Sequence, residues 1–261
     1  MLPTLKSSWN SVFMAVIETD TKLEHGTSFL VERIPKGIYD ELYFVTDNHV
    51  IVNGCPEKGP CPLLKLQQSA HLLYDGSGAV TGNRGASANQ LNYTGIEVVR
   101  RSTNPDLALL RVVVPRSPQT PHALKLPKDC TLGRDLKVYS IGFSQTRLRT
   151  DPGAKAIAGK NETFKRWSEG VTTGPVKVSV KGQSYALHGT TVDVIPGGSG
   201  GPMLNDKGEV IGVFKATTSI AKNNYAYKGN ETPGPLAPAS LMTDCETLKK
   251  FLNLEEPKVC D

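Results

Sequence analysis

The stretch "IPGGSGGPMLNDKGEVIGVF", residues 195–214, places Ser199 between two pairs of glycines. Glycine costs conformational entropy, so this density indicates a backbone that turns tightly or lies against another molecule. A hairpin loop entering the strand "EVIGVF" also explains the cluster, because glycines commonly mark turns. The rest of the chain has to distinguish a structural turn from an exposed, reactive hydroxyl.

The remainder of the chain carries short β-rich runs separated by turn signals. They occupy residues 11–18, 26–34, 41–52, 70–75, 96–100 and 107–114, then, after a Pro-rich break, 135–143, 165–174, 177–182, 184–194 and 209–218. Strands at this spacing without helical periodicity predict an all-β barrel or sandwich. Two sets of about six strands on either side of a connector predict two six-stranded antiparallel β-barrels in tandem.

The predicted organisation is a single domain over residues 1–261. Barrel 1 is expected at about 9–115, the connector at 115–130 and barrel 2 at about 131–238. Only the C-terminal end predicts a helix, at about 240–254, with Ser240 or Thr243 as its cap. That helix would carry one apolar stripe, formed by Leu241, Cys245, Leu248 and Leu252.

Composition excludes several classes of partner. The net charge is +5, but the basic residues form no concentrated stripe, so nucleic-acid binding is not indicated. No apolar run approaches the ~18–20 residues of a membrane span, which predicts no such span. The run "VFMAVI" at 12–17 is too short for a signal peptide and has no cleavage site, so we expect no export signal in this chain.

The five cysteines leave the redox state open. Cys55 and Cys61 flank the loop "CPEKGPC", and Cys245 and Cys260 bracket the C-terminal segment, so two disulfides with Cys130 unpaired are conceivable. Free thiols in a reducing compartment explain the same residues equally well.

A nucleophilic serine needs a base, and the base needs a carboxylate to fix its tautomer. All five histidines precede Ser199, which excludes an α/β-hydrolase, whose histidine follows the serine. No H-E-x-x-H or paired C-x-x-C motif supports a metal site. His49 and Asp106 each lie where a β-rich run meets a loop, so both side chains can reach a cleft between two barrels.

Three blocks in one order carry a resemblance to a known family: "FVTDNHVI", "PDLALLRV" and "PGGSGGPMLNDKGEVIGV". The chain resembles trypsin-fold, chymotrypsin-like serine proteases, most closely the HtrA/DegP-type protease domain, here without a PDZ domain. The resemblance implies a serine endopeptidase that works through an acyl-enzyme and needs no cofactor or metal. His49 resembles the general base, Asp106 its orienting carboxylate and Ser199 the nucleophile, with the Gly197 and Ser199 amides as the oxyanion hole.

Specificity rests on weaker analogies within the same resemblance. Asp193 lies six residues before Ser199, where trypsin-like enzymes place the base of the P1 pocket, and would select Arg or Lys. Phe214 and Thr217 resemble pocket walls, and Lys215 could neutralise Asp193. Because HtrA relatives prefer small aliphatic residues, we expect a small or medium apolar P1 residue.

Other functions of the same fold stay open at this point. These are a self-processing or viral-type protease, an esterase, and a catalytically weak protease-like binding module. The expected partners are protein or peptide substrates, and the sequence leaves the oligomeric state open. The resemblance favours a periplasmic or secreted location if Met1 begins a processed form, and a cytoplasmic one otherwise.

Overall fold

Two curled antiparallel sheets carry nearly all of the regular structure in the computed structural model of this chain. The structure describes residues 3–18, 23–68, 72–74, 80–83, 91–146, 161–180, 183–193, 197–217 and 239–252. Within these ranges, no helix has both the length and the apolar character required to cross a membrane.

The first sheet is built by the N-terminal half of the chain. A short helix, α1 (Pro3–Trp9), precedes it. Its strands are β1 (Val12–Glu18), β2 (Leu23–Lys36), β3 (Tyr39–Thr46), β4 (Gly59–Pro60), β5 (Leu64–Gln67), β8 (Asn92–Tyr93), β9 (Glu97–Thr103) and β10 (Asp106–Pro115). The order is β4-β9-β10-β3-β2-β1-β5-β8, so β3 lies beside β10. This pairing brings His49, which follows β3, close to Asp106, which begins β10.

The second sheet contains β6 (Leu72–Tyr74), β7 (Val80–Asn83), β11 (Lys137–Thr146), β12 (Asn161–Val180), β13 (Gln183–Thr190), β14 (Pro202–Leu204), β15 (Val210–Thr217) and β16 (Ser240–Asp244). The order is β11-β14-β15-β16-β13-β12-β6-β7, and an additional β11–β12 pairing closes the sheet on itself. Two helices complete the described elements, α2 (Asn48–Ile51) and α3 (Cys245–Leu252).

Apolar side chains fill the first sheet and the space between the two. Phe13, Phe44 and Tyr93 meet inside the first sheet, with the Phe13 ring centroid 5.1 Å from that of Phe44 and 5.4 Å from that of Tyr93. A second cluster joins buried residues of both sheets to α1 and α3, among them Met14, Phe29, Val45, Ile141, Phe143, Val213, Leu248 and Phe251. Because burial of apolar surface drives folding, this shared cluster holds the two sheets against each other.

The all-β class and the chymotrypsin-like double barrel are confirmed, and several boundaries differ from expectation. The run predicted as one strand at 41–52 ends at Thr46, and His49 lies on α2. The predicted strands 165–174 and 177–182 are one strand, β12. Each sheet has eight described strands, because short segments extend both. β6 pairs with β12 and β7 pairs with β6, although both lie within the range expected for barrel 1.

The C-terminal segment also differs from expectation. Residues Ser240–Asp244 form β16 because they complete the sheet between β13 and β15, so the helix begins at Cys245. Its cap is the Asp244 carboxylate, which accepts a hydrogen bond from the Thr247 amide at 2.8 Å, and not Ser240 or Thr243.

One of the two disulfides considered from the sequence is present in the structure, and the other has a different partner. Cys55 and Cys61 form a disulfide, as their spacing suggested. Cys245 pairs with Cys130, the cysteine expected to be unpaired, and this bond ties the connector to the start of α3. Cys260, the partner considered for Cys245, lies outside the described residues.

Candidate active site

His49 and Asp106 meet because β3 and β10 pair in a fixed register. Thr46, the last residue of β3, lies opposite Ala108 near the start of β10. The Asp106 carboxylate then holds His49 at two points: Oδ1 accepts the His49 backbone N–H at 2.9 Å, and Oδ2 accepts Nδ1–H at 2.8 Å. This hydrogen bond fixes the tautomer in which Nδ1 carries the proton and Nε2 is a free base.

The charges around the pair favour an ionised aspartate and a basic imidazole. Burial tends to raise the pKa of Asp106, but the hydrogen bond from His49 and the charge of Lys215 outweigh it and lower the pKa to about 2. Burial tends to lower the pKa of His49, but the Asp106 hydrogen bond and the charges of Asp47 and Asp106 raise it overall. Asp106 is therefore an anion throughout the neutral range.

A second carboxylate, Asp47, lies behind His49. Its side chain is fully buried, and one oxygen lies 3.8 Å from His49 Nδ1. Neither carboxylate oxygen accepts a hydrogen bond from the described residues; the neighbouring Gly200 amide donates to the Phe214 carbonyl. Burial is the main cause that raises the pKa of Asp47 to about 7. Asp106 is 1 Å closer to His49 Nδ1 than Asp47 is, and of the two only Asp106 is hydrogen-bonded to it.

Lys215 supplies a cation to this cluster. It lies on β15, its side chain is 8% exposed, and Nζ lies 2.5 Å from Asp106 Oδ2. The ammonium also lies 5.4 Å from the centroid of the Tyr185 ring. A buried ammonium needs such partners, because an isolated charge in the interior is strongly disfavoured.

The loop that carries Ser199 is held against the end of β3 by Thr27. The Thr27 amide donates to the Ser199 carbonyl at 2.8 Å, and the Thr27 carbonyl accepts from the Thr46 hydroxyl at 2.7 Å. A Cβ on Gly200 would lie 2.7 Å from the Asp47 amide nitrogen, so the loop packs directly against the segment before His49. The Ser199 hydroxyl itself donates to the Lys215 carbonyl at 3.3 Å.

The glycines of this loop lie too close to neighbouring atoms for a side chain to fit. Gly197 has φ +98°, and a Cβ there would lie 2.7 Å from both His25 Nε2 and the Phe143 carbonyl oxygen. The Gly197 carbonyl accepts from the Thr27 hydroxyl at 2.9 Å. Within the part of the chain that the structure describes, the Gly197 and Ser199 amides donate to no protein acceptor. Both amides are thus available to an oxygen of a bound molecule.

The residues predicted to shape specificity lie in different environments. The Asp193 side chain is 85% exposed and lies 3.4 Å from Arg166. The Phe214 side chain is buried in the core of the second sheet, and Lys215 forms its ion pair with Asp106. Thr217 is half-buried at the end of β15.

The same cluster raises the question of a metal ion. Asp47, His49 and Asp106 present ligand atoms within 4.8 Å of one another. The ammonium of Lys215 already lies on the Asp106 oxygen that a cation would need, and like charges repel at this distance. A cation at this oxygen would therefore meet the charge of the Lys215 ammonium.

Sequence reasoning missed two contributors to the site: Thr27 links the serine loop to β3, and His25 lies beside Gly197. It named Lys215 but expected Asp193 as its partner, whereas the ammonium faces Asp106. Neither Thr27 nor His25 belongs to the three sequence blocks, and their roles depend on contacts across the two sheets. For Lys215 a signal existed, because a lysine in the otherwise apolar strand "VIGVFKAT" needs a buried partner.

Comparison with known proteins identifies the family. Residues 26–213 match the trypsin-like peptidase domain, and the chain belongs to this family. Its fold is similar to that of Deg5, with 16% identity, a TM-score of 0.55, and coverage of 95% of this chain and 89% of Deg5. It is also similar to the active form of the Rv3671c protease from M. tuberculosis, with 15% identity, a TM-score of 0.52, and coverage of 96% and 82%. No curated protein matches the chain. The chain is therefore a trypsin-like peptidase domain, and its fold is similar to that of Deg5.

Proposed function

We propose that this protein is a serine endopeptidase in which Ser199 is the nucleophile, His49 the general base and Asp106 the residue that orients His49. The observation that carries the proposal is the two-point hydrogen bond from His49 to Asp106, beside a serine loop packed against the same segment. A carboxylate on Nδ1–H leaves Nε2 as the base, and the His49 side chain is 46% exposed, so substrate can reach it.

The chemistry begins with rotation of the Ser199 hydroxyl from the Lys215 carbonyl towards His49. His49 Nε2 takes the hydroxyl proton while Oγ attacks the scissile carbonyl carbon, which forms a tetrahedral intermediate and an imidazolium. The imidazolium then gives its proton to the leaving amine nitrogen, the C–N bond breaks, and an acyl-enzyme remains. Water deprotonated by His49 attacks the ester carbonyl, and the acid product leaves as Ser199 recovers its proton.

The negative oxygen of both tetrahedral intermediates needs hydrogen-bond donors. We assign this role to the Gly197 and Ser199 amides, which have no protein acceptor among the described residues. One such donor is worth about 10²–10³ in turnover, because it acts where charge develops.

For specificity we propose a small or medium apolar P1 residue, such as Val, Ala or Leu. The Asp193 carboxylate lies beside Arg166 and is mostly exposed, and Lys215 is engaged by Asp106. An exposed, already paired carboxylate offers little selectivity for a basic side chain. Mapping the cleavage sites of β-casein by mass spectrometry tests this: mostly apolar P1 residues are expected, and dominant Arg or Lys would overturn it.

A fluorophosphonate probe tests the catalytic proposal. Wild type and the surface control Ser7→Ala should be labelled, Ser199→Ala should not, and His49→Ala should be labelled at a strongly reduced rate, each with unchanged circular dichroism. An unlabelled wild type would refute the proposal and favour a protease-like binding module. Labelling combined with cleavage of only the protein's own chain would indicate a self-processing protease, and labelling with only ester hydrolysis an esterase.

A further inference from the structure

Lys215 enters the site through an irregularity of β15. Phe214 pairs with Met242 and Ala216 pairs with Leu241, so Lys215 is an extra residue between two consecutive pairs of the β15–β16 ladder. A bulge of this kind re-aims a side chain. Here the ammonium reaches Asp106 Oδ2, while the carbonyl of the same residue accepts the Ser199 hydroxyl. One residue thus contacts two members of the proposed catalytic group.

The ammonium shares its oxygen with the imidazole. Lys215 Nζ lies 2.5 Å and His49 Nδ1 lies 2.8 Å from Asp106 Oδ2, so cation and imidazole are at most roughly 5 Å apart. At that separation in a partly buried site, two positive charges repel appreciably. Lys215 therefore opposes protonation of His49, while it supports ionisation of Asp106.

We propose that Lys215 is a positioning residue of this site: its ammonium fixes the Asp106 carboxylate and offsets part of its charge, so that His49 stays a neutral base at lower pH than the carboxylates alone would allow. This inference rests on the proposed peptidase function. It places Lys215 beside the catalytic group and not as the residue that neutralises Asp193.

The charged groups around His49 act in opposite directions. Asp106 at the start of β10 and Asp47 before α2 both favour the imidazolium, and Lys215 from β15 disfavours it. Tyr185 from β13 presents its ring to the ammonium and completes the surroundings of the cation. The balance predicts that loss of the Lys215 charge alone raises the pKa of His49.

A cavity beside the ion pair makes the role testable by chemical rescue. It has a volume of about 120 Å³ and is lined by Asn104–Asp106, Tyr185–Leu187, Lys215, Thr243 and Thr247. The hydroxyl of Thr243 is buried and has no hydrogen-bond partner among the described residues. Truncation of Lys215 to alanine keeps Cβ and would enlarge this cavity by the volume of a propylammonium group.

The first test is the pH dependence of fluorophosphonate labelling of Ser199. Lys215→Met, which keeps the length of the side chain without its charge, should move the acidic limb upward by about one pH unit and slow labelling about tenfold at pH 6.5. At pH 9 the rate should recover to within about threefold of wild type. Lys207→Ala, an exposed lysine on the turn before β15, should leave the profile unchanged.

The second test measures whether a small cation restores Ser199 labelling on the acidic limb of the pH profile. With Lys215→Ala, n-propylammonium should restore labelling at pH 6.5 saturably, by about fivefold or more, and n-propanol should not. Neither additive should change the labelling rate of wild type or of Lys207→Ala. Loss of labelling that no amine restores would overturn the inference, because it would indicate that Lys215 only supports the fold.

Failure of the inference and failure of the proposed function give different results. If wild type is labelled and the acidic limbs of wild type and Lys215→Met coincide, Lys215 does not set the basicity of His49. If wild type is not labelled, the peptidase proposal fails, and NMR titration of His49 in Ser199→Ala still measures the Lys215 effect directly. Should Lys215→Met not fold, Lys215→Arg, which keeps the charge, should fold and retain the wild-type limb.

Discussion

Asp47 is a buried carboxylate whose ionisation works against the fold. In the unfolded chain its pKa is near the ordinary value of 3.8, and burial raises the pKa to about 7 in the folded protein. Among the described residues no donor satisfies its oxygens. Asp47→Asn keeps the shape and removes the charge, so the variant should behave like the permanently protonated wild type.

The sign and size of the effect follow from these two pKa values. Between pH 3.8 and about 7 the folded state holds a proton that the unfolded state has lost, so stability falls as the pH rises through this range. One pKa unit corresponds to about 1.4 kcal/mol, so the charge costs about 4 kcal/mol above pH 7, about 2 kcal/mol near pH 5.5 and under about 1 kcal/mol at pH 4. Asp47→Asn should stabilise the protein by these amounts.

Urea unfolding in a Ser199→Ala background, which prevents self-digestion, measures the difference at pH 4, 5.5 and 8.5. The control Glu57→Gln replaces an exposed carboxylate and should change the free energy of unfolding by less than about 0.5 kcal/mol at every pH. A difference for Asp47→Asn that does not depend on pH would refute the reasoning.

Three further predictions concern orientation, the serine loop and the disulfide of the C-terminal segment. Asp106→Asn should lower turnover about 10⁴-fold, because the amide favours the wrong tautomer of His49, and a loss below tenfold would reject Asp106 as the orienting residue. Gly197→Ala should abolish fluorophosphonate labelling by clash and backbone strain, whereas Gly37→Ala, with φ +61° and open space around it, should cost stability only; equal labelling of both would contradict this. Replacing Cys130 and Cys245 by serine should lower the free energy of unfolding by about 4 kcal/mol, because their disulfide closes a 115-residue separation, and a urea midpoint near that of wild type would contradict it.

Residue types and their order along the chain explain which strands and which catalytic group the sequence predicted. Alternating β-rich runs and turn residues predict strands directly, and the His49, Asp106 and Ser199 blocks have side-chain types that only make sense together. The order of these blocks along the chain is enough to exclude the α/β-hydrolases. Boundaries were less predictable, because β16 forms a strand only where β13 and β15 offer it a partner.

By itself the sequence determined the all-β class and the two-barrel arrangement, since both depend on residue types and spacing along the chain. The residues proposed for catalysis came from the resemblance of three sequence blocks to the family. Only the tertiary structure decided which charged side chains lie next to each other. The partner of the Lys215 ammonium, the burial of Asp47 beside His49 and the Cys130–Cys245 disulfide join residues from distant segments. Their electrostatic consequences depend on distance and on exclusion of water, and neither quantity exists until the two sheets pack together.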